Sequence, residues 1–295
     1  MTDHALDRST IIVNWNAGAA LAACLDSVAS EALAGQEVIV VDNASTDGSL
    51  LAAIRGRGWV RVVQHTDNRG FAGGANAGAA VARGRVLVFL NPDAVADPGA
   101  VTRLAAVLDA DPTAAIAGGG LADLDGRWQP GAARFEPVPH LALDTTAGRR
   151  WQRRRRQPYV VDWVYGTFMA VECDRFRRLG GFDARYFCYG EDLDLCYRVR
   201  RDAGVVWHVP GARVRHGRNV SAVQRFGSGR DAAAVLGELH FYARRWGAAA
   251  VWRYRACALG KYALKWAWQV VRRRSADAAA TAAILTTCWR FRESE

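Results

Sequence analysis

Thr10-Ile11-Ile12-Val13-Asn14, then Leu21, Cys24, Leu25 and Val28, then Val38-Ile39-Val40-Val41-Asp42 decide the fold. The outer segments are short apolar runs closed by a polar residue, and the middle set recurs at helical spacing, so the stretch reads as a β-α-β unit. The pattern repeats outward. Turn residues from Asn43 lead into a helix reaching Arg55, Val60 to Val63 is a strand, 73 to 82 a helix, and Val86-Leu87-Val88-Phe89-Leu90 a fully apolar strand. Apolar runs of this kind, alternating with helices, imply buried and mostly parallel strands, and hence an α/β fold class.

Beyond Pro98 a helix runs to about Asp109, and Gly118-Gly119-Gly120 opens an irregular stretch. Residues 125 to 160, rich in Gly, Pro and Arg, read as a mobile surface excursion. Order resumes at Val160-Val161-Asp162-Trp163-Val164, and from about Asp231 the chain reads as helices carrying Trp246, Trp252, Trp266, Trp268 and Trp289 among basic residues.

Ligands of an open parallel sheet sit beyond the carboxyl ends of its strands. Asn14 and Asn16 end the first strand, Asp42-Asn43 the second, His65 and Asp67-Asn68 the third, and Asn91-Pro92-Asp93 the fourth. One such Asp is ordinarily a turn former or helix cap. Four strands in succession ending this way point to a shared site.

At 295 residues and 51% hydrophobic, the chain can bury a large core, as one α/β domain or a domain with an appendage. Its six cysteines show no CxxC pair, no metal-finger spacing and no preceding signal peptide, which reads as reduced thiols in a cytoplasmic protein. No apolar run reaches the roughly eighteen residues of a membrane span. The formal net charge of +10 is uneven, with Arg149, Arg150 and Arg153 to Arg156 in one cluster and a second set from Arg244 to Arg274. Nucleic acid, anionic lipid and diphosphate-bearing substrates all suit such clusters. No nucleic-acid motif accompanies the charge, so nucleic acid is not an expected partner.

Against that excess, Glu191-Asp192-Leu193-Asp194 packs three carboxylates into four positions. Adjacent carboxylates repel, and a site that holds them together uses the field to bind a cation or to raise one pKa toward that of a general base. A helix start, where acidic residues meet the positive end of the helix, is the other reading of the segment alone.

Six segments occur in order: Val41-Asp42-Asn43-Ala44-Ser45-Thr46-Asp47-Gly48-Ser49, Asn68-Arg69-Gly70-Phe71-Ala72-Gly73-Gly74-Ala75-Asn76-Ala77-Gly78, Leu90-Asn91-Pro92-Asp93, Gly166-Thr167-Phe168-Met169, Gly190-Glu191-Asp192 and Val214-Arg215-His216. Together they resemble glycosyltransferase family 2, and within it the rhamnosyltransferase branch that builds bacterial cell-surface polysaccharides. The match runs from about Thr10 to Ser221.

The resemblance implies a GT-A (Rossmann-like) fold, a mixed, mostly parallel sheet flanked by helices, over residues 1–230. Residues 231–295 form a basic, Trp-rich helical C-terminal extension. It implies an inverting transfer from a nucleotide-diphosphate sugar donor, in first place L-rhamnose from dTDP-rhamnose, to a saccharide or lipid-linked acceptor. A UDP-hexose or UDP-galactofuranose donor is the alternative within the class, and a catalytically silent glycan-binding or scaffold domain the alternative outside it. Oligomeric state is not legible.

By the same resemblance, Asn91-Pro92-Asp93 stands where the family carries DxD. Asp93 is then the ligand of Mg2+ or Mn2+, and Asn91 is a departure. His216 completes the metal shell or contacts the diphosphate, although a lone histidine is ordinarily a satisfied surface or core residue. Asp42 meets the imide face of a pyrimidine base, and Asp67, Asn68 and Arg69 lie near base, ribose or diphosphate. Gly70, Gly73 and Gly74 permit close backbone approach, and Asn14, Asn43, Asn76 and Asn91 complete the expected donor side. Asp192 is expected as general base, with Glu191 beside it raising its proton affinity. Asp194 is expected to pair with Arg198 four residues on. Trp163, Tyr165, Gly166 and Thr167 face the acceptor, where an aromatic ring stacks on a sugar or packs in the core. The basic Trp-bearing tail reads either as an ordinary helical extension or as a peripheral dock on an anionic membrane, at the inner face of the plasma membrane.

Overall fold

The computed structural model describes residues 6–34, 36–135, 146–217 and 229–291. Its first half is β1 (Leu6–Asn14), α1 (Ala20–Leu33), β2 (Glu37–Asp42), α2 (Ser49–Ile54), β3 (Val60–Gln64), α3 (Gly70–Val81), β4 (Gly84–Leu90), β5 (Ala94–Ala96), α4 (Ala100–Ala110) and β6 (Ala114–Ala122). Then follow β7 (Trp128–Gln129), β8 (Ala132–Ala133), α5 (Thr146–Arg154), β9 (Tyr159–Val161), β10 (Trp163–Val164), β11 (Phe168–Glu172), α6 (Cys173–Arg178), α7 (Glu191–Arg201), β12 (Val205–His216), α8 (Arg230–Val271) and α9 (Ser275–Arg290).

The main sheet runs in the order β3-β2-β1-β4-β11-β6-β12-β5. β1 pairs in parallel with β2 and β4, and β2 with β3, while β11 is antiparallel to both β4 and β6. Alternate residues of the apolar strands feed two separate cores, as a pleated strand covered on both faces requires. Ile11, Val13, Ile39, Val41, Leu87 and Phe89 meet α3 and α6 on one face. Ile12, Val38, Val40, Val86, Val88 and Leu90 meet α1 and α4 on the other. The parallel pairing brings the C-terminal ends of β1, β2 and β4 to one edge, where Asn14 stands beside Asp42 in register.

Gly118, Gly119 and Gly120, expected to open an irregular stretch, lie inside β6 in the middle of the sheet. Their composition suggests a loop, but packing selects them: a Cβ on Gly119 would lie 2.7 Å from the Ala212 carbonyl oxygen, and one on Gly118 would collide with the Val164 side chain. The segment expected as a surface excursion contains β7, β8, α5 and the start of β9, with residues 136–145 outside the described residues. The run 160–164 divides at Asp162, sending β9 to β12 and β10 to β8. Asp162 accepts the Phe135 N–H at 3.1 Å where the two part.

α8 is interrupted at Gly247, whose φ of 72° no other residue type adopts without strain. Its first part buries Leu239, Phe241 and Tyr242 in the same hydrophobic cluster as the sheet. There Tyr197 and Trp246 meet edge to face with centroids 5.7 Å apart, and Phe135 stacks on Phe241. Among the described residues no helix is long and apolar enough to cross a membrane.

Candidate active site

A cleft of about 570 Å³ opens at the C-terminal edge of the parallel strands. Asn43, Asn68, Gly70, Asn91, Asp93, His216, Trp163, Tyr165, Gly166, Thr167, Glu191 and Asp192 all line it. Sequence-distant segments are brought together by the sheet order, because β11 places residues 163–167 beside the end of β4 and β12 delivers His216 next to β5.

On the β1–β2 side, Asn14 is fully buried and its amide donates to Asp42 Oδ1 at 2.7 Å. Asp42 Oδ2 accepts the Ser45 N–H at 3.1 Å, so the carboxylate is oriented by its own turn. Asn14 and Asp42 stand behind the cleft wall that Val13, Trp15 and Asn43 form. Asn43 donates to the Gly70 carbonyl at 2.8 Å, and its Oδ1 lies 2.9 Å from His65 Nδ1. Asn68 Oδ1 accepts the Gly70 N–H at 2.9 Å, and helix α3 starts there, three residues before the expected position. Asp67 and Arg69 pair at 3.2 Å on the exposed surface.

Two donor-side expectations require correction. Asn76 does not line the cleft: its amide donates to the Phe182 carbonyl at 2.8 Å and its Oδ1 accepts the Phe182 N–H at 2.9 Å, a clasp between α3 and the turn at 181–182. The close approach at Gly70 is made by protein. With φ at +70°, a Cβ there would collide with the Phe187 carbonyl, which accepts the Phe71 N–H at 2.8 Å.

At the end of β4, Asp93 Oδ1 lies 3.2 Å from His216 Nε2, and the Asn91 amide lies 3.3 Å from the same nitrogen. Two ligands at right angles around an ion with bonds of about 2.1 Å are about 3.0 Å apart, so this spacing fits neighbouring ligands of one divalent ion. The mixed oxygen and nitrogen pair suits Mn2+ better than Mg2+. Among the described residues no group of three His, Cys, Asp or Glu could hold a metal, so an ion held by this pair would need water or a diphosphate for its other ligands.

The acidic motif opens α7 behind Tyr189 and Gly190, at φ of 73° and 98°. The three carboxylates sit in the first turn, and two of them, Glu191 and Asp192, line the cleft. Asp192 Oδ2 accepts the Gly166 N–H at 2.8 Å and Oδ1 the Leu193 N–H at 2.7 Å. Burial outweighs these bonds and, with the charge of Glu238, raises the Asp192 carboxyl to about 6. Glu191 is 5% exposed, and its Oε2 is buried and has no hydrogen-bond partner among the described residues. Burial, and then the charge of Asp192, hold it well above the usual carboxylate range. The two adjacent carboxylates oppose each other's ionisation, and Glu238 adds its charge at Asp192. Asp194 pairs with Arg198 at 2.7 Å, and Arg245 of α8 binds its other oxygen at 2.7 Å.

Trp163 is 4% exposed, donates to the Arg134 carbonyl at 3.2 Å and packs edge to face on Tyr165, with centroids 4.8 Å apart. Its ring packs in the core while an edge reaches the cleft.

Motif reading missed the contribution of α8. Arg230, Asp231, Ala234 and Glu238 line the cleft, spaced as one helical face. That spacing was visible in the sequence, but nothing there said which face of the helix met the site.

The sequence profile described as glycosyl transferase family 2 matches residues 9–179. The chain belongs to glycosyl transferase family 2. Over 253 residues, this family 2 glycosyltransferase is 28% identical to the N-acetylglucosaminyl-diphospho-decaprenol L-rhamnosyltransferase of Mycobacterium tuberculosis, covering 78% of this chain and 80% of that protein. Over 58 residues it is 50% identical to rhamnosyltransferase WbbL of Escherichia coli K12, covering 19% and 22%. Among solved structures, the mannosyltransferase PcManGT of Pyrobaculum calidifontis with GDP-Man and Mn2+ superposes with a TM-score of 0.61 at 18% identity, over 98% of this chain and 89% of that one. GalNAc-T7 with UDP, GalNAc and Mn2+ gives 0.57 at 21% identity, over 83% of this chain and about half, 51%, of that one. The family 2 enzyme therefore has the GT-A fold of these glycosyltransferases.

Proposed function

We propose that this glycosyltransferase moves L-rhamnose from dTDP-rhamnose, with inversion, onto a saccharide carried by a lipid diphosphate, a step of bacterial cell-surface polysaccharide synthesis. Supporting the sugar and the acceptor class is the similarity to the mycobacterial L-rhamnosyltransferase. The observation that carries the chemistry is that one short segment joins the two halves of the site. Gly166 donates its N–H to Asp192, and the carbonyl of Thr167 accepts the Asn91 N–H at 3.0 Å.

Asp192 is the general base. It is half-buried at the cleft wall, whereas Glu191 is almost fully enclosed. Ionised Asp192 takes the proton of the acceptor hydroxyl as that oxygen attacks the anomeric carbon and the bond to the diphosphate oxygen breaks. A single displacement inverts the configuration. Asp93 and His216 would hold a divalent ion, which supplies neutralisation of the charge gathering on the leaving diphosphate. Asn43, Asn68, Gly70 and the turn oriented by Asn14 and Asp42 receive base and ribose. Residues 163–167 and the α8 face around Glu238 receive the acceptor. On this reading residues 1–230 carry the donor side, the base and part of the acceptor side, and the start of α8 completes the acceptor side.

A donor panel tests the reading. With Mn2+ present, nucleoside diphosphate release should be fastest from dTDP-L-rhamnose; release from UDP-hexoses or UDP-galactofuranose alone would overturn the donor assignment.

A further inference from the structure

Beyond the cleft, the far end of α8 leaves the body of the protein. Residues 263–268 are exposed at six successive positions, hence on every side of the helix. Leu264 is 77% exposed, Trp266 41%, Trp268 50% and Val271 80%, all within one short stretch ending at Arg272-Arg273-Arg274. This end is built. Thr281 of α9 donates to Gln269 of α8 at 2.8 Å, and α9 buries Ala278, Ile284 and Cys288. Large apolar side chains are thereby held in water on a braced hairpin, at a cost that an apolar partner would remove.

Charge selects the partner. From Leu239 to Ala276 there are nine Lys and Arg and no Asp or Glu. The guanidinium groups of Arg272 and Arg274 lie 5.7 and 5.1 Å from the ring centre of Trp268. An aromatic side chain with cations beside it matches the boundary of an anionic bilayer, where the ring enters the headgroup layer and the cations meet phosphate. Since no described helix can cross a membrane, the hairpin would lie at the surface.

We propose that the tip of the α8–α9 hairpin docks the protein on an anionic lipid surface. The proposal rests on the lipid-linked acceptor for its purpose: confinement to the surface raises the acceptor concentration that the cleft meets. α8 carries both functions in one helix, cleft-lining residues before Gly247 and the exposed tip after it.

Flotation of the full chain with vesicles of phosphatidylcholine, with and without phosphatidylglycerol, tests this. Binding should require phosphatidylglycerol and weaken with salt. It should fall about a hundredfold when Arg272, Arg273 and Arg274 are all changed to Gln. Trp266→Ser with Trp268→Ser should weaken it as well. No binding at low salt, or variants that bind like wild type, would overturn the proposal. So would a concentration-dependent dimer in sedimentation that the tryptophan variant abolishes, since a second copy would then cover the tip. Transfer to a water-soluble acceptor should be unchanged in both variants. Loss of that transfer in wild type would refute the functional reading and leave the vesicle result standing.

Discussion

The backbone N–H of Gly166 holds Asp192 Oδ2 at 2.8 Å. The base is therefore aimed by a peptide N–H that only proline at this position would remove, and the same segment fixes Asn91 through Thr167. A Cβ on Gly166 would stand 3.4 Å from that of Asp192, so the segment passes close to the carboxylate without crowding it.

The pH dependence follows from the raised Asp192 carboxyl. A general base acts ionised, and burial moves this one from 3.8 to about 6. Activity should climb between about pH 5 and 7 and level off above. Glu238→Gln removes one charge that opposes ionisation, and should move the rising limb to lower pH. A pH profile of kcat/KM for both proteins measures this.

Removal of the divalent ion should abolish transfer, and added Mn2+ should restore it. Asp93→Asn and His216→Ala should each raise the Mn2+ concentration for half-maximal activity by about tenfold or more. A metal titration of initial rates checks both. Equal rates with and without chelator would remove the metal role from this pair.

Gly70→Ala should cost about 2–4 kcal/mol, because it combines a φ of +70° with a collision at the Phe187 carbonyl. Gly126→Ala is the control: its φ of +78° is similar, but among the described residues nothing beyond its chain neighbours lies within 4 Å of the added Cβ, so about 1 kcal/mol is expected. Urea unfolding of the two variants separates strain from collision.

Arg245→Ala should destabilise the protein by about 2–3 kcal/mol. Asp194 is fully buried and would keep only Arg198, while α8 would lose its ionic tie to the acidic helix. Thermal melts report the loss, and kcat should fall with it because the same α8 face lines the cleft.

How much of this was legible in the sequence varies with the kind of signal. The run 10–42 specified its strands and helix, because residues buried on both sheet faces leave an unbroken apolar record. Asp192, Asp93 and His216 were singled out through their resemblance to family motifs, and the fold brings all three to one cleft. Glycines 118–120 misled, since their role is to admit Val164, Phe168 and Ala212, none of which is near in sequence. Asn76 looked like a ligand contact because its backbone partner, Phe182, lies 106 residues away. Glu238 carried no motif and acquired its place only when Gly237 let α8 settle against the Tyr189 carbonyl.

Transfer of rhamnose from dTDP-L-rhamnose to a lipid-diphosphate-linked saccharide, compared in wild type and Asp192→Asn, tests whether Asp192 is the base. The substitution should lower kcat by about 10²–10⁴-fold, with donor affinity unchanged and a melting temperature no lower than wild type. An Asp192→Asn protein that is folded, binds donor and transfers within a few-fold of the wild-type rate would show that the base lies elsewhere.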